Sequence, residues 1–131
     1  MKLTYFNLYA RAEAIRMLMT HNGTEFTDER IEFADWPTLK ATIPSGQVPL
    51  LTTSTGEHLN QSVPILRYLG ATHGYYNVAE PMQAYKADQT ISTVDDHFIP
   101  AFYKVFMSAD AASEEEIKER VAMHNKLCTL L

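Results

Sequence analysis

Residues 46–69 constrain the fold of this chain more than any other stretch of its sequence. An apolar run headed by Val48-Pro49 is followed by a short turn-rich gap and then by an apolar segment that opens on Gln61-Ser62. A proline just before a buried strand removes a backbone donor and marks a turn or a strand edge. The stretch therefore predicts a strand, a tight connection and then a helix.

The start of that helix is a candidate binding site. Ser62 is a good N-cap residue, and a helix start attracts anions because its free N–H groups and its dipole point the same way. An exposed strand edge beside such a helix start could hold a small peptide with a free carboxylate. A simple turn at Val48-Pro49 and a plain N-cap at Ser62 are the alternative interpretations of the same residues.

The residues before this stretch alternate between strand and helix patterns. Residues 2–6 alternate polar and apolar side chains and predict a first strand. Residues 11–19 are strongly helix-forming, and residues 26–33 predict a second strand. Asp35 can cap a short helix that runs from Trp36 to about residue 41.

The remainder of this half of the chain predicts three more elements. Residues 48–53 predict a third strand, which a tight connection joins to a fourth strand at residues 58–60 as a hairpin. A helix then runs from Val63 to about Gly74. The order strand, helix, strand, helix, strand, strand, helix is α/β, and the first crossover should make its two strands parallel.

The composition changes after residue 74 and stays helical from Pro81. We expect a first domain at residues 1–74, a linker at residues 75–80 and an all-helical domain at residues 81–131. Apolar residues spaced 3, 4, 3 and 4 apart predict a buried stripe on a long helix, which Pro100 should kink or end. The stripe consists of Ala84, Ala87, Ile91, Val94 and Phe98.

A second helix of this domain should begin with a capping box at Ser113–Glu116. Its apolar face continues through Ile117, Val121, His124 and Cys128 to the last residue, Leu131, without a stop signal. We therefore expect the helical domain to be incomplete, either as part of a longer chain or as an unusually short product of a longer architecture.

The composition excludes several classes of protein. The 131 residues carry a formal charge of −5, with a pI near 5.4, which argues against nucleic acid or an acidic membrane surface as the main partner. No run approaches the ~20 apolar residues of a membrane span, and the first residues have no signal-peptide core. A single cysteine, Cys128, excludes a disulfide framework and a Cys-x-x-Cys pair. These features predict a cytoplasmic protein with no nucleic-acid or membrane partner.

Five short motifs lie in order along the first domain. They are Lys2-Leu3-Thr4-Tyr5-Phe6-Asn7, Arg11-Ala12-Glu13, Ala34-Asp35-Trp36-Pro37, Val48-Pro49 and Gln61-Ser62. In sequence and spacing they resemble a glutathione transferase, and most closely the sigma class, which includes the haematopoietic-type prostaglandin D synthases. The resemblance covers the first domain and the first helix of the second. It implies an α/β thioredoxin-like N-terminal domain, followed by an all-α C-terminal domain of which this chain carries only the start.

The resemblance implies that Tyr5 is catalytic, because its hydroxyl would donate a hydrogen bond to the sulfur of bound glutathione. A thiol with a pKa near ~8.5 is mostly protonated at neutral pH, and a donor aimed at the thiolate lowers that pKa. Arg11 would help to hold the thiolate, or would be a structural ion-pair partner. Ala10 replaces a glycine that is usual before the Arg-Ala-Glu run and should shift the loop after Tyr5. Without the resemblance, Tyr5 would be an ordinary half-buried aromatic residue of a strand.

The remaining glutathione contacts are also implied by the resemblance. Val48 would pair its backbone with the cysteinyl part of glutathione, as in strand addition, with Gln47 before it and a cis bond to Pro49 after it. Gln61 and Ser62 would bind the γ-glutamyl end.

Trp36 and Lys40 would meet the glycyl carboxylate, although such a pair alone would be packing plus a solvated charge. Asp96 would reach across a homodimer to the neighbour's glutathione, whereas Asp95-Asp96 without the resemblance is a solvated acidic face. In the prostaglandin synthases a third aspartate, one turn earlier, joins the pair to gather a divalent cation. Ser92 occupies that position here, so we predict no metal site.

Three functions fit these residues. The first is a glutathione transferase that conjugates the thiolate to a small hydrophobic electrophile. Prostaglandin H to D isomerisation uses the same thiolate. The third is a non-catalytic protein, as in the lens crystallins related to this family, because fold does not fix function. Intact Tyr5, Gln61 and Ser62 favour the enzyme, and the absent helices favour an inactive product.

Overall fold

The structure, a computed structural model, describes residues 1–100, Tyr103 and residues 113–128. The chain divides into two units, one formed by residues 1–76 and a second that begins at Asn77. Among the residues described, no helix is both long enough and apolar enough to cross a membrane.

The first unit is built on one four-stranded mixed sheet with the strand order β2-β1-β3-β4. Strand β1 (Lys2–Phe6) is parallel to β2 (Thr27–Ile31), and helix α1 (Ala10–His21) connects the two. Strand β3 (Leu50–Thr52) is antiparallel to both β1 and β4 (His58–Asn60). The structure thus confirms the parallel crossover and the β3–β4 hairpin.

Two further helices complete this unit: the short α2 (Trp36–Lys40) and α3 (Ser62–Thr72). Asp35 occupies the N-cap position of α2, as predicted, but its side chain makes no capping hydrogen bond. Helix α2 therefore lacks the capping bond that we expected from the residue type.

One face of the sheet carries the hydrophobic core. Helices α1 and α3 are in contact with each other and bury their apolar residues against alternate residues of β1 and β3. The cluster consists of Leu3, Tyr5, Ala12, Ile15, Met19, Leu51, Ile65 and Leu69. Burial of these apolar side chains holds the sheet and the two helices together.

The second unit begins with α4 (Pro81–Thr93), which continues into a π-helical turn at Val94–Phe98. The backbone N–H of Ile99 bonds to the carbonyl of Val94, five residues earlier, and Pro100 is still helical. Of the two expected outcomes, a kink or an end at Pro100, the end is wrong. The irregularity is instead a wider turn just before the proline, which has no N–H to offer to a carbonyl four residues back.

The predicted apolar stripe of this helix is only partly covered. Ala84, Ala87 and Ile91 are half-buried and Val94 is exposed. The side chain of Phe98 lies outside what the structure describes.

The last helix described, α5 (Glu114–Cys128), begins with the predicted capping box. The N–H of Ser113 donates to the Glu116 carboxylate at 2.9 Å, and the N–H of Glu116 donates to the Ser113 hydroxyl at 3.3 Å. Ile117 is half-buried and Val121 is exposed, while His124, Cys128 and Leu131 fall outside the side chains that are described.

Candidate functional site

Tyr5 lies one residue before the end of β1, next to the loop that leads into α1. Its side chain is only 4% exposed and belongs to the core between the sheet and the helices, so it is more deeply buried than an ordinary half-buried strand aromatic. The ring also meets Phe6 edge-on, with the centroids 5.6 Å apart. A side chain locked by packing on a strand holds its functional atom more rigidly than a loop residue does.

Arg16 is a buried cation beside Tyr5 that the sequence interpretation missed. Its Nε donates to Asp28 Oδ1, and its Nη1 donates to the Glu13 carboxylate and to the backbone carbonyl of Leu8, each at 3.0 Å. The guanidinium carbon lies 5.9 Å from the centroid of the Tyr5 ring. The available signal was the three-residue spacing between Glu13 and Arg16, which allows an ion pair on a helix surface.

Asp28 connects Arg16 to a second arginine. Its Oδ2 accepts a hydrogen bond of 2.7 Å from Nε of Arg30 on the same strand. Burial raises the pKa of the Asp28 carboxyl, but the hydrogen bonds and charges of Arg16 and Arg30 outweigh burial and hold the pKa below its ordinary value. Asp28 is therefore ionised at neutral pH and balances the buried charge of Arg16.

Ala10 begins α1 with a φ of 32°, in the region of backbone space that favours glycine. The structure thus gives a physical reason for the glycine that the family resemblance places here. The next residue, Arg11, is half-buried in the first turn of α1.

The Val48–Pro49 peptide bond is cis, as predicted. Val48 is half-buried and packs against the core cluster, and Pro49 is buried. Strand β3 begins only at Leu50, so both residues lie just before the strand rather than within it. This is consistent with a proline that cannot donate to a strand ladder.

Gln61 links this segment to the start of α3. Its side-chain Nε2 donates a hydrogen bond of 2.9 Å to Oε1 of Gln47. Gln61 is also the N-cap of α3, with φ 71° and ψ 121°, and its side chain makes no capping bond.

The prediction that Ser62 is the N-cap of α3 is therefore wrong by one residue. The positive φ of Gln61 turns the chain into the helix at that point, so Ser62 is already the first helical residue. Its backbone N–H is one of the N–H groups that a helix start leaves without an intrahelical acceptor. The anion-binding character expected of this helix start is thus retained.

The two ends of α2 have different neighbours, Phe6 at Trp36 and Gly46 at Lys40. The ring of Trp36 lies edge-on to Phe6, with the centroids 5.3 Å apart, on the face of β1 opposite Tyr5. Lys40 Cε lies 3.7 Å from the place where a Cβ on Gly46 would stand. Because Gly46 precedes Gln47, the first unit brings Lys40 next to the segment that carries Gln47 and its bond to Gln61.

Asp96 belongs to the second unit of the chain. It is exposed within the π-helical turn and lines an open groove together with Tyr85, Ser92 and His97 of the same helix. Within the described part of the chain, no group of three or more histidine, cysteine, aspartate or glutamate residues is placed to hold a metal ion.

The mixed sheet with its parallel first crossover, covered by α1 and α3, defines the first unit as a thioredoxin-like domain. A family model described as "Glutathione S-transferase, N-terminal domain" matches residues 1–71. The chain belongs to the glutathione S-transferase family.

Named relatives agree with this assignment. Hematopoietic prostaglandin D synthase of Gallus gallus is 40% identical over 119 residues, which are 91% of this chain and 55% of that protein. The Homo sapiens protein of the same name is 37% identical over 128 residues, which are 98% of this chain and 59% of that protein. The chain thus spans little more than half the length of these relatives.

Solved structures show the same likeness. A glutathione S-transferase from Ascaris lumbricoides superposes with a TM-score of 0.81 at 34% identity and covers 98% of this chain and 64% of its own. Prostaglandin synthase D of Nilaparvata lugens gives a TM-score of 0.80 at 36% identity, with 95% and 64% covered.

Proposed function

We propose that this chain carries the glutathione site of a glutathione transferase, in which the hydroxyl of Tyr5 activates the glutathione sulfur for attack on an electrophile. The observation that supports this most strongly is the hydrogen bond between Gln61 and Gln47, which places the start of α3 beside the Val48-Pro49 segment. A segment that leads into a strand, next to a helix start, can hold an extended peptide with a charged end.

Glutathione would then lie along this edge of the first unit. The backbone of Val48 would pair with the cysteinyl part, and Ser62, through its hydroxyl and its N–H, would hold the γ-glutamyl end together with Gln61. The glycyl carboxylate would meet the indole N–H of Trp36 and the ammonium of Lys40. A compact ammonium on a flexible stem suits a carboxylate that moves with its peptide.

The chemistry would come from Tyr5, with Arg11 on the thiolate side. A hydrogen bond from Tyr5 to the thiolate favours the ionised form of the bound thiol. Because each pKa unit corresponds to about 1.4 kcal/mol, a decrease of roughly two units would make most of the bound thiol nucleophilic at neutral pH. The electrophile would be small and hydrophobic.

Prostaglandin D isomerisation is the second candidate reaction, because several named relatives are hematopoietic prostaglandin D synthases at 37–40% identity. The same activated thiolate would serve both reactions. A parallel assay with a prostaglandin endoperoxide and with a model electrophile distinguishes them, since an isomerase releases glutathione unchanged whereas a transferase consumes it.

The same proposal covers the class, the location and the oligomeric state of the protein. We place the chain in the sigma class, as a cytoplasmic detoxification enzyme that acts as a homodimer without a metal ion. In the dimer Asp96 would contact the amino group of the glutathione bound to the partner subunit. The exposure of the Asp96 side chain within the π-helical turn supports this role, because an exposed carboxylate is free to meet a group of another subunit.

Retention on glutathione resin followed by a conjugation assay tests the proposal. Tyr5→Phe should still bind glutathione but should lose about 10–100-fold in rate at neutral pH, because the donor that favours the thiolate is absent. Tyr9→Phe is the matched control, since Tyr9 is 73% exposed four residues further on, and it should keep the full rate. Binding without a Tyr5-dependent rate would support the non-catalytic alternative.

A further inference from the structure

We propose that Arg16 is a positioning residue for Tyr5: its buried guanidinium holds the tyrosine ring and the loop after β1 in the geometry that thiolate activation requires. This inference rests on the proposed function, since it concerns the reaction for which Tyr5 is positioned. Nothing in the five sequence motifs that identify the family singles out Arg16.

The first observation is the burial of the cation. Arg16 is 5% exposed, whereas arginine is rarely buried unless it is paired and hydrogen-bonded. Its anchors come from three elements: the Leu8 carbonyl in the loop after β1, Glu13 on α1 and Asp28 on β2, each at 3.0 Å. A planar guanidinium can hold such a set at fixed angles, which a lysine ammonium cannot.

The second observation is the contact with Tyr5. The guanidinium carbon lies 5.9 Å from the ring centroid, at the outer limit of a cation–π contact. Leu8 is the third residue after Tyr5. Arg16 therefore contacts both ends of the turn that leads from Tyr5 into α1, the Tyr5 ring at one end and the Leu8 carbonyl at the other. A shift of this side chain would move the Tyr5 ring and the start of α1 together.

The third observation concerns the remaining donors of Arg16. Nε and Nη1 are used by the anchors, but Nη2 is buried without a hydrogen-bond partner among the residues that the structure describes. A buried N–H without an acceptor destabilises the folded state. The charged groups that face Arg16 are Glu13 on its own helix and Asp28 on β2, and Arg30 faces Asp28 in turn. The anchors on Leu8, Glu13 and Asp28 therefore leave one donor group of the buried guanidinium unsatisfied by the described residues.

The experiment compares Arg16→Gln, Arg16→Lys and the control Lys2→Gln. Lys2 lies on the same strand as Tyr5 but on the opposite face of the sheet, where it pairs with Glu29, so Lys2→Gln removes one positive charge and one ion pair away from the ring. Two quantities are measured: the thiolate absorbance of bound glutathione against pH, and the ring NMR resonances of Tyr5 in the ligand-free chain, assigned by their loss in Tyr5→Phe.

Both Arg16 variants should bind glutathione within about threefold of the wild type. Their half-ionisation point should move upward by about one pH unit, which lowers the rate below that point roughly tenfold. The Tyr5 resonances should shift in both variants and stay unchanged in Lys2→Gln.

Wild-type thiolate ionisation in Arg16→Gln, or an equal displacement in Lys2→Gln, overturns the proposal. If Arg16→Gln does not fold, the same criteria apply to Arg16→Lys, which keeps the charge but loses the fork. If the wild type binds no glutathione, the proposed function fails by itself. The Tyr5 resonances still decide whether Arg16 positions the ring, and unchanged resonances in the variants overturn that role.

Discussion

The side-chain nitrogen of Gln61 donates a hydrogen bond of 2.9 Å to the side-chain oxygen of Gln47, which ties the first turn of α3 to the segment before β3. The bond sets the spacing of two residues that we propose as glutathione contacts. At the same point the backbone of Gln61 has a φ of 71°, a conformation that costs on the order of 1–3 kcal/mol for a residue with a Cβ. Gln61 therefore both sets the spacing of the proposed glutathione contacts and carries backbone strain.

Gln61→Gly should separate these two properties. We expect the variant to gain about 1 kcal/mol in the free energy of unfolding, because glycine adopts a positive φ without a Cβ penalty. Its glutathione affinity should fall about fivefold, since the proposed hydrogen bond from the Gln61 side chain to the γ-glutamyl end, worth about 1 kcal/mol, is lost. Urea unfolding and calorimetric titration measure the two effects. Gln61→Ala should lose the same affinity without gaining stability, so equal stability of the two variants would contradict the strain.

Ala10→Gly should stabilise the chain by about 0.5–1 kcal/mol. The φ of 32° at Ala10 penalises a Cβ, and relief of that penalty exceeds the conformational entropy that glycine loses. Ala14→Gly, within the same helix, is the matched control and should destabilise by about 1 kcal/mol. The two substitutions should therefore move the urea midpoint in opposite directions. A decrease in both would show that helix propensity alone governs Ala10.

Glu29 should make the stability of the chain depend on pH below about pH 5. The hydroxyl of Thr4 donates to its carboxylate at 2.6 Å and Lys2 donates at 3.1 Å, and these bonds hold the pKa of Glu29 below its ordinary value although burial raises it. A carboxyl with a lowered pKa in the folded state stabilises the fold only while it is ionised. This stabilisation is complete above the unfolded-state pKa of about 4.3 and is lost as the pH falls toward the lower folded-state value.

Unfolding curves recorded between about pH 3 and pH 7 check this dependence. Glu29→Gln should be less stable than the wild type at neutral pH and should lose less of its stability on acidification. Glu25→Gln, an exposed glutamate in the loop before β2, should keep the wild-type slope. Parallel curves for Glu29→Gln and the wild type would exclude Glu29 as a source of the acid sensitivity, leaving Asp28 and Glu57, whose pKa values are lowered as well.

Ser113→Ala should loosen the first turn of α5. The substitution removes the hydroxyl that accepts the N–H of Glu116 and should cost about 1 kcal/mol locally. Amide hydrogen exchange at residues 114–117 should accelerate roughly fivefold, while exchange in β1 should stay unchanged. Ser92→Ala, on α4, serves as the control. Unchanged exchange in Ser113→Ala would mean that the capping box does not hold this helix start.

Much of the first unit follows from local patterns in the sequence. The strand at residues 2–6 was predicted with its observed bounds, because alternation of polar and apolar residues is the pattern of a strand that turns its apolar side chains to a core. The Ser113–Glu116 capping box also formed as predicted, since all of its partners lie within one helical turn. Such features depend on residues that are close in the chain.

The errors occur where a backbone dihedral or a distant partner decides the structure. Ser62 has the residue type of an N-cap, but the positive φ of Gln61 starts the helix one residue earlier than expected. Residue type alone does not reveal such a strained conformation. Arg16 was overlooked because two of its partners, Leu8 and Asp28, lie outside its own helix, and only the folded sheet brings Asp28 within reach.

The sequence by itself determined the order of strands and helices, the turn at Val48-Pro49 and the motifs that mark the family. Only the tertiary structure decided that Arg16 meets Asp28 and Tyr5, and that Gln61 meets Gln47. These pairs join different elements, at sequence separations of 12 residues for Arg16 and Asp28 and 14 for Gln61 and Gln47. The physical reason is that periodicity encodes which face of an element is apolar, whereas the partner that comes within 3 Å of a polar atom depends on how the elements pack together.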